Sequence, residues 1–550
     1  MLLGETKILQ AKLRTQILGC AILICGLLVV TTLSQQKSAP QTNPTIQRAT
    51  QLLQDGNLIE AETLLQTHLN KIPNDAKAKV LLGVVFDRQN RFSEAENLYR
   101  EVLKTSPNEV SALANLGVLL VKTKRIGEAV KMLEKVLQLQ PNHQQAAYNL
   151  AAAYSALNQQ HKALPLLEKL VGITPNHPMP VTTDFSLLLA LTKAYAASGK
   201  TKEAVKIAET LERQQPNDSR LLFTLGLILS EAQEYEKGKQ LFEKVNAQIP
   251  NRFEILYNLG IAYYNLNEFD QAQAVLRSAV DLDSTSGEVF YRLGLVALAK
   301  NEVENALGLW LKAVELRPGF HEANFLIAEE LSKQQAYVGA QQFYEKAVAQ
   351  EPENLLYQVR LCVTYIRIQQ YEKARAILNK EDKKRPDNLN ITYLKGFLAR
   401  AEGNYDEAIV AFEKVLKLSP NNPDALANLG FFASERGQNE KAENFFHQAI
   451  KEDKNIFSAH YDLGRMLLRL KRVDEAVQIL ERGAELNKKD PGIRYQLFLA
   501  YSRLKQKDKA EANFAEFKRL EKAYAKTGAA ATANDKTQEI PTSVQQIKKP

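Results

Sequence analysis

Apolar residues recur at helical spacing in the stretch 110–143, VSALANLGVLLVKTKRIGEAVKMLEKVLQLQPNH. Leu113, Leu116 and Leu120 lie three or four residues apart, and a second run beginning at Ala129 continues in the same way until a proline ends it. This spacing places one apolar stripe on each of two short helices. Because neither helix could bury its stripe alone, the pattern predicts a helical hairpin that packs against similar neighbours.

The neighbouring hairpins follow at a period of 34 residues, with one interruption at 178–184. The register predicts four hairpins in 42–177 and ten in 185–524. One small residue recurs in each first helix, and a bulky side chain there would overpack the hairpin at a cost of roughly 1–3 kcal/mol. These small positions are Ala49, Gly83, Gly117, Ala151, Thr192, Gly226, Gly260, Gly294, Ala328, Cys362, Gly396, Gly430 and Gly464, and the exception in the last repeat is Phe498.

These hairpins resemble the tetratricopeptide repeat family, whose period and Leu-Gly signature they share. The segments LYNLGIAYY at 256–264 and ALANLGFFA at 425–433 carry the signature, and Ala442 and Phe446 follow the second segment as the family pattern requires. The resemblance implies an all-α fold, a right-handed superhelical α-solenoid in which the first helices line a concave face. It also favours a bacterial, membrane-anchored member of the family.

The N-terminal residues lie outside the repeat register. A basic segment at 1–16 precedes an uncharged run at 17–33, which reaches the lower length limit of a membrane-spanning helix. A transmembrane signal-anchor is favoured over a signal peptide cleaved near Ser34, and the basic flank places 1–16 in the cytoplasm. The repeats would then lie outside the cytoplasm, joined to the inner membrane by the linker 34–41, or would be periplasmic or secreted after cleavage.

Composition narrows the possible partners. The net charge of +8 is spread along the chain, whereas nucleic-acid binding needs basic residues clustered on one face, so no nucleic-acid partner is expected. Cys20 and Cys25 lie in the apolar run and Cys362 takes a small packing position, which leaves no disulfide framework in the repeats. The polar tail 525–550 is predicted to be disordered.

No pattern in the sequence indicates chemistry. The seven histidines are scattered without metal-ligand spacing, and there is no phosphate-binding loop or nucleophile elbow. The sequence therefore predicts a protein without enzymatic activity, cofactor or metal.

Polar and aromatic side chains stand just before the small position of many first helices. Asparagine offers a donor and an acceptor to an extended peptide, and tyrosine adds a rigid contact surface. This row resembles the asparagine ladder of O-linked N-acetylglucosamine transferases, although no transferase domain follows it; the same residues also match the repeat consensus. The candidate peptide-binding residues are Asn115, Asn149, Tyr257, Asn258, Tyr291, Arg292, Arg360, Asn428, Tyr461 and Asp462.

The residue after the small position is often apolar, as in Val118, Ile261, Leu295, Phe397 and Phe431. The row therefore lacks the lysine and asparagine pair of the carboxylate clamp that binds acidic chaperone tails, and we expect it to accept extended or helical apolar segments. The sequence predicts a non-enzymatic scaffold that binds other proteins or peptides and helps to assemble an envelope, secretion or polysaccharide-export complex. The alternative is an accessory subunit that recruits substrates to a separate transferase or protease.

Overall fold

The computed structural model describes residues 43–174, 180, 182 and 184–526. Within these residues the chain forms 28 α-helices and no strand, which confirms the all-α prediction. The helices alternate between a first and a second helix of successive hairpins. Most first helices pack most extensively against the second helix that follows them, and the exception is Leu355–Arg367, which packs more against the helix before it. The chain divides into two compact units, one ending at Ser284 and one beginning at Thr285, called here the N-terminal half and the C-terminal half.

The N-terminal half contains repeats 1 to 7. Its helices are α1 (Pro44–Gln54), α2 (Leu58–Lys71), α3 (Ala76–Arg88), α4 (Phe92–Thr105), α5 (Val110–Lys122), α6 (Ile126–Leu139), α7 (Gln144–Ala156), α8 (Gln160–Leu170), α9 (Phe185–Ala197), α10 (Thr201–Gln214), α11 (Ser219–Glu231), α12 (Tyr235–Gln248), α13 (Phe253–Asn265) and α14 (Phe269–Leu282).

The C-terminal half contains repeats 8 to 14. Its helices are α15 (Gly287–Ala299), α16 (Val303–Leu316), α17 (His321–Lys333), α18 (Tyr337–Gln350), α19 (Leu355–Arg367), α20 (Tyr371–Lys384), α21 (Leu389–Ala401), α22 (Tyr405–Leu418), α23 (Pro423–Glu435), α24 (Asn439–Glu452), α25 (Phe457–Arg469), α26 (Val473–Leu486), α27 (Pro491–Arg503) and α28 (Lys507–Lys526).

The small first-helix position faces a large side chain sixteen residues further along the chain. A Cβ atom added to Gly117 would lie 2.7 Å from Cγ of Leu133, and one added to Gly226 would lie 2.6 Å from Cε1 of Phe242. Both large residues are fully buried. The repeat therefore needs a small residue in one helix because its partner helix fills the same space.

The last repeat solves the same packing problem differently. Phe498 stands at its small position, and the residue sixteen positions later is Phe514. The two rings lie side by side with their centroids 4.7 Å apart and an interplanar angle of 31°, and Phe517 packs against Phe514 in turn. Two planar rings thus occupy the place that one small residue and one large side chain share elsewhere.

The turn inside each hairpin requires a left-handed residue. Gly56 and Gly403 adopt φ values of +80° and +83° there, which glycine reaches without steric cost. Asn90, Asn267 and Asn301 take the corresponding place in other repeats with φ near +60°. Asparagine tolerates this conformation better than most residues, so the turn geometry persists where the glycine is missing.

Side chains also connect adjacent repeats. The Tyr263 hydroxyl donates to a Glu243 carboxylate oxygen at 2.7 Å, and Tyr365 donates to Glu345 at the same distance. Arginines at the starts of second helices pair with a glutamate in the preceding repeat, as Arg125 does with a carboxylate oxygen 2.8 Å away. The stack is held by these links in addition to its apolar core.

Several predicted segments fall outside the described residues. These are the basic segment 1–16, the apolar run 17–33, the linker 34–41, most of the interruption 178–184, and 527–550 of the predicted tail. In the described part of the chain no helix is both long and apolar enough to cross a bilayer. Helix α9 packs against α8, so the hairpins continue to stack on either side of the interruption.

Candidate functional site

The candidate site is a row of side chains on the first helices. We define the first-helix row as the residues three before, two before and one after each small position; in repeat 3 these are Ala114, Asn115 and Val118. The row recurs every 34 residues, so its members follow one another from repeat to repeat. Each half of the chain carries its own stretch of the row.

In the N-terminal half the row is apolar and partly open. Most of its nonpolar members are neither buried nor fully exposed, whereas Ile46 and Val80 are buried and Ala152 is exposed. The partly exposed members are Leu81, Val84, Ala114, Val118, Tyr148, Leu189, Ala190, Phe223, Leu227, Tyr257 and Ile261. A partly solvated row of aliphatic and aromatic groups is typical of a surface that binds another protein.

The predicted asparagines of this half do not form a uniform ladder. Asn115 and Asn258 are partly exposed, but Asn149 is buried, with 8 % of its surface accessible. The Asn258 side-chain amide donates to the Glu254 carbonyl of its own helix at 2.7 Å. Tyr257 stacks on Phe253 with ring centroids 5.9 Å apart. The apolar members are therefore more available to a ligand than the asparagines.

In the C-terminal half the row is largely closed. Every residue of α19 from Leu356 to Ile366 is buried, including the predicted groove residue Arg360. The Arg360 Nε lies 3.1 Å from Oε1 of Glu329 in the preceding repeat. Arg292 is also buried, and its guanidinium lies 5.6 Å from the ring of the partly buried Tyr291. These two arginines are part of the packed structure.

Large side chains cause this closure. The Phe325 and Tyr357 rings stack with centroids 4.6 Å apart, and Tyr393 packs edge-on against Phe412 at 5.2 Å. The same core cluster includes Phe397, which follows the small position of repeat 11. The C-terminal row therefore fills itself where the N-terminal row stays partly open.

The structure brings two further predicted residues into one polar cluster. Asn428 is buried, and its side-chain amide donates to the Asp424 carbonyl at 2.8 Å and to the Tyr393 hydroxyl at 3.1 Å. Asp462 is buried in the next repeat, where it forms an ion pair with Arg465 at 3.4 Å. The partly exposed Tyr461 precedes it.

Arg400 joins this cluster, although the sequence did not single it out. Its Nη1 donates to Oδ1 of Asn428 at 2.5 Å, and its Cζ lies 4.0 Å from the centroid of the Phe431 ring. Arg400 stands four residues after its small position, outside the predicted row. Arg465 was the sequence feature that could have pointed to this cluster, because it interrupts a mostly apolar series of residues that follow the small position.

Electrostatics in this cluster are set by burial. Burial raises the pKa of the Asp462 carboxyl, and Arg465 and Arg400 oppose that rise. Burial also lowers the pKa of the Arg400 guanidinium, which the nearby Asp462 partly offsets. Among the described residues, no group of histidine, cysteine and carboxylate side chains is arranged to hold a metal ion.

Comparison with protein families decides the classification. The family model described as tetratricopeptide repeat matches residues 52–120, 120–182, 331–396, 399–463 and 433–497, which is more than half of the chain. The chain belongs to the tetratricopeptide repeat family. A second tetratricopeptide repeat model matches 257–319, and the N-terminal repeat region of Psidin matches 154–283.

Solved tetratricopeptide structures are similar to this chain at low sequence identity. Yeast Tom70 is 17 % identical, with a TM-score of 0.34, over 80 % of this chain and 97 % of that chain. The Cut9 and Hcn1 hetero-tetramer of APC/C is 13 % identical, with a TM-score of 0.35, over 82 % of this chain and 95 % of that chain. MamA is 21 % identical, with a TM-score of 0.27, over 30 % of this chain and 95 % of that chain. A search of curated proteins finds no match. Membership of this repeat family makes the chain a protein-interaction scaffold.

Proposed function

We propose that the first-helix row of the N-terminal half binds apolar segments of partner proteins. The observation that supports this proposal is the run of partly exposed nonpolar side chains at equivalent places in consecutive repeats. An extended or helical segment with apolar side chains at regular intervals could contact several repeats at once. Multiple small contacts of this kind add up along a repeat surface without any enclosed pocket.

Site-specific photo-crosslinking tests this proposal. A photoreactive phenylalanine analogue placed at Val118 or Ile261 should capture partner proteins, because both positions lie in the open row. The matched control is Ile59 on α2, whose surface is 79 % exposed but which lies outside the row. Equal capture at all three positions, or capture only at Ile59, would contradict a binding surface on the row.

Substitution then measures the contribution of the row. Val118→Ser and Ile261→Ser together should weaken binding of a captured, purified partner by roughly thirtyfold to several hundredfold, since each removes about 1–2 kcal/mol of apolar contact. Ile59→Ser should leave the affinity unchanged. The asparagine substitutions Asn115→Ala and Asn258→Ala should have the smaller effect, because Asn258 already bonds to its own helix.

We also propose that the chain is anchored in the inner membrane, with its repeats outside the cytoplasm, and helps to assemble an envelope, secretion or polysaccharide-export complex. The uncharged run 17–33 and its basic flank support this proposal. A periplasm-active reporter fused after residue 40 should be active. A reporter active only when it remains in the cytoplasm would reverse the topology.

The second candidate function is recruitment of substrates to a separate transferase or protease. It is favoured by the absence of a catalytic motif from the sequence together with an open binding row. Co-purification of such an enzyme with the full chain would support this function. The double variant Val118→Ser, Ile261→Ser should then no longer bind the substrate of that enzyme. Capture of structural envelope components alone would favour the assembly role.

A further inference from the structure

Two guanidinium groups converge on one ring in the C-terminal half. The Arg400 Cζ lies 4.0 Å from the centroid of the Phe431 ring, and the Arg465 Cζ lies 5.6 Å from the same centroid. Arg400 also lies 5.9 Å from the neighbouring Phe432 ring. The ring face stabilises each cation, but two like charges held this close repel each other unless negative charge is near.

The carboxylates in contact with this cluster are already paired with other arginines. Glu435 lies 3.2 Å from Arg465 and 3.4 Å from Arg469, and Asp462 lies 3.4 Å from Arg465. Asp462 also acts electrostatically on Arg400. Asp462 is thus shared between Arg400 and Arg465, and Glu435 is shared between Arg465 and Arg469.

The Arg400 side chain is held in place by neutral groups. Its Nη1 donates a hydrogen bond to the side-chain oxygen of Asn428, a neutral acceptor. The Asn428 amide is fixed by the Tyr393 hydroxyl and the Asp424 carbonyl, so its oxygen points toward Arg400. A guanidinium carries five N–H donors and keeps its charge in proteins, which leaves Arg400 with further donors for a ligand. The group is therefore oriented before any ligand arrives.

We propose that Arg400 and Arg465, with the Phe431 ring between them, form a subsite for a glutamate or aspartate side chain of a partner segment. A carboxylate matches the planar fork of a guanidinium and would add a negative charge beside two guanidiniums that now share Asp462. The partly exposed Phe431 ring supplies the apolar wall against which the carboxylate would lie. This inference rests on the proposed function, since it assumes that the chain binds partner segments.

The test compares two labelled peptides on the full chain. The probes are fluorescein-labelled Ala-Leu-Glu-Leu-Ala-Leu-Glu-Leu and its counterpart with both glutamates replaced by glutamine. By fluorescence anisotropy, the glutamate peptide should bind roughly tenfold more tightly. Arg400→Gln should remove this preference, and the control Arg482→Gln should keep it, because Arg482 pairs with Glu485 on the exposed face of α26.

The outcomes separate this inference from the proposed function. Equal binding of the two peptides, or the same preference in Arg400→Gln, would overturn the carboxylate subsite. Displacement of the glutamate peptide by inorganic phosphate, beyond the effect of sodium chloride at equal ionic strength, would overturn it in favour of a phosphate site. If Arg400→Gln loses its helical circular dichroism, the more exposed Arg465→Gln takes its place. The double variant Val118→Ser, Ile261→Ser should keep the preference for the glutamate peptide. If this double variant binds the partner as tightly as the unchanged protein does, the proposed function is overturned and the carboxylate subsite is not.

Discussion

Gly294 and Gly308 of repeat 8 provide a matched pair for testing how the hairpins pack. A Cβ atom added to Gly294 would lie 2.5 Å from Cδ1 and 2.9 Å from Cε2 of Trp310, a rigid ring that is fully buried. A Cβ atom added to Gly308, on the second helix of the same hairpin, would meet no atom within 4 Å. The same substitution therefore enters a filled space in one helix and open space in the other.

The two substitutions should change the free energy of unfolding in opposite directions. Gly308→Ala should stabilise the repeat by about 1 kcal/mol, because alanine is the better helix former. Gly294→Ala gains the same amount but overpacks the core by roughly 1–3 kcal/mol. It also displaces the Trp310 indole from its 3.2 Å hydrogen bond to the Tyr291 carbonyl, at a further cost of about 1 kcal/mol. Its net effect should be destabilisation of roughly 1–3 kcal/mol.

Urea unfolding followed by tryptophan fluorescence measures both effects. Trp310 is the single tryptophan of the chain, so its emission reports the unfolding of repeat 8 even if other repeats unfold separately. The midpoint should rise for Gly308→Ala and fall for Gly294→Ala. If both variants raised the midpoint by the same amount, the small first-helix position would not be determined by the side chain facing it.

Three further predictions follow from single contacts. Burial and a hydrogen bond to Glu134 raise the pKa of Tyr154 to about 12, so this pair stabilises the fold below pH 10 and loses that effect as the pH rises toward 12. Alkaline unfolding followed by circular dichroism should therefore show a smaller loss of stability between pH 10 and 12 in Tyr154→Phe than in the unchanged protein. Burial raises the pKa of the Cys362 thiol, so mass spectrometry should find it unlabelled by iodoacetamide at pH 8 until urea is added. Arg472→Gln breaks partly exposed pairs with Glu443 and Glu475 and should shift the thermal midpoint only slightly, with a smaller shift at 1 M salt.

The sequence predicted the repeats well because each hairpin is set by local information. The small position and the turn residue lie within one 34-residue period, and both recur from repeat to repeat. Position Gly117 could be recognised without knowing that Leu133 faces it. Asn90 shows the limit of that reasoning, since its left-handed turn was visible only in the backbone and not from a glycine in the sequence.

The candidate site was predicted less completely because burial depends on the neighbouring repeats. Asn149 and Asn428 occupy the same repeat position as Asn258, yet both are buried while Asn258 is partly exposed. Arg400 was missed because the ring it covers, Phe431, belongs to the next repeat. A periodic pattern describes what recurs, and these contacts arise where the pattern changes from one repeat to the next.

Side-chain volume accounts for part of the difference between the two halves, although Phe223 and Tyr257 of the N-terminal half are also large and stay partly exposed. Ala114 and Ala190 stand three and two residues before their small positions in the N-terminal half, and neither is large enough to cover the row, which stays partly open. Phe325 and Tyr393 stand three residues before the small position in the C-terminal half, and their rings pack against neighbouring aromatics. One repeat architecture thus yields a partly open apolar row in one half. In the other half the row is largely buried, and a charged side chain follows the small position at Glu329, which faces Arg360, and at Arg465, which lies beside Arg400 and Phe431.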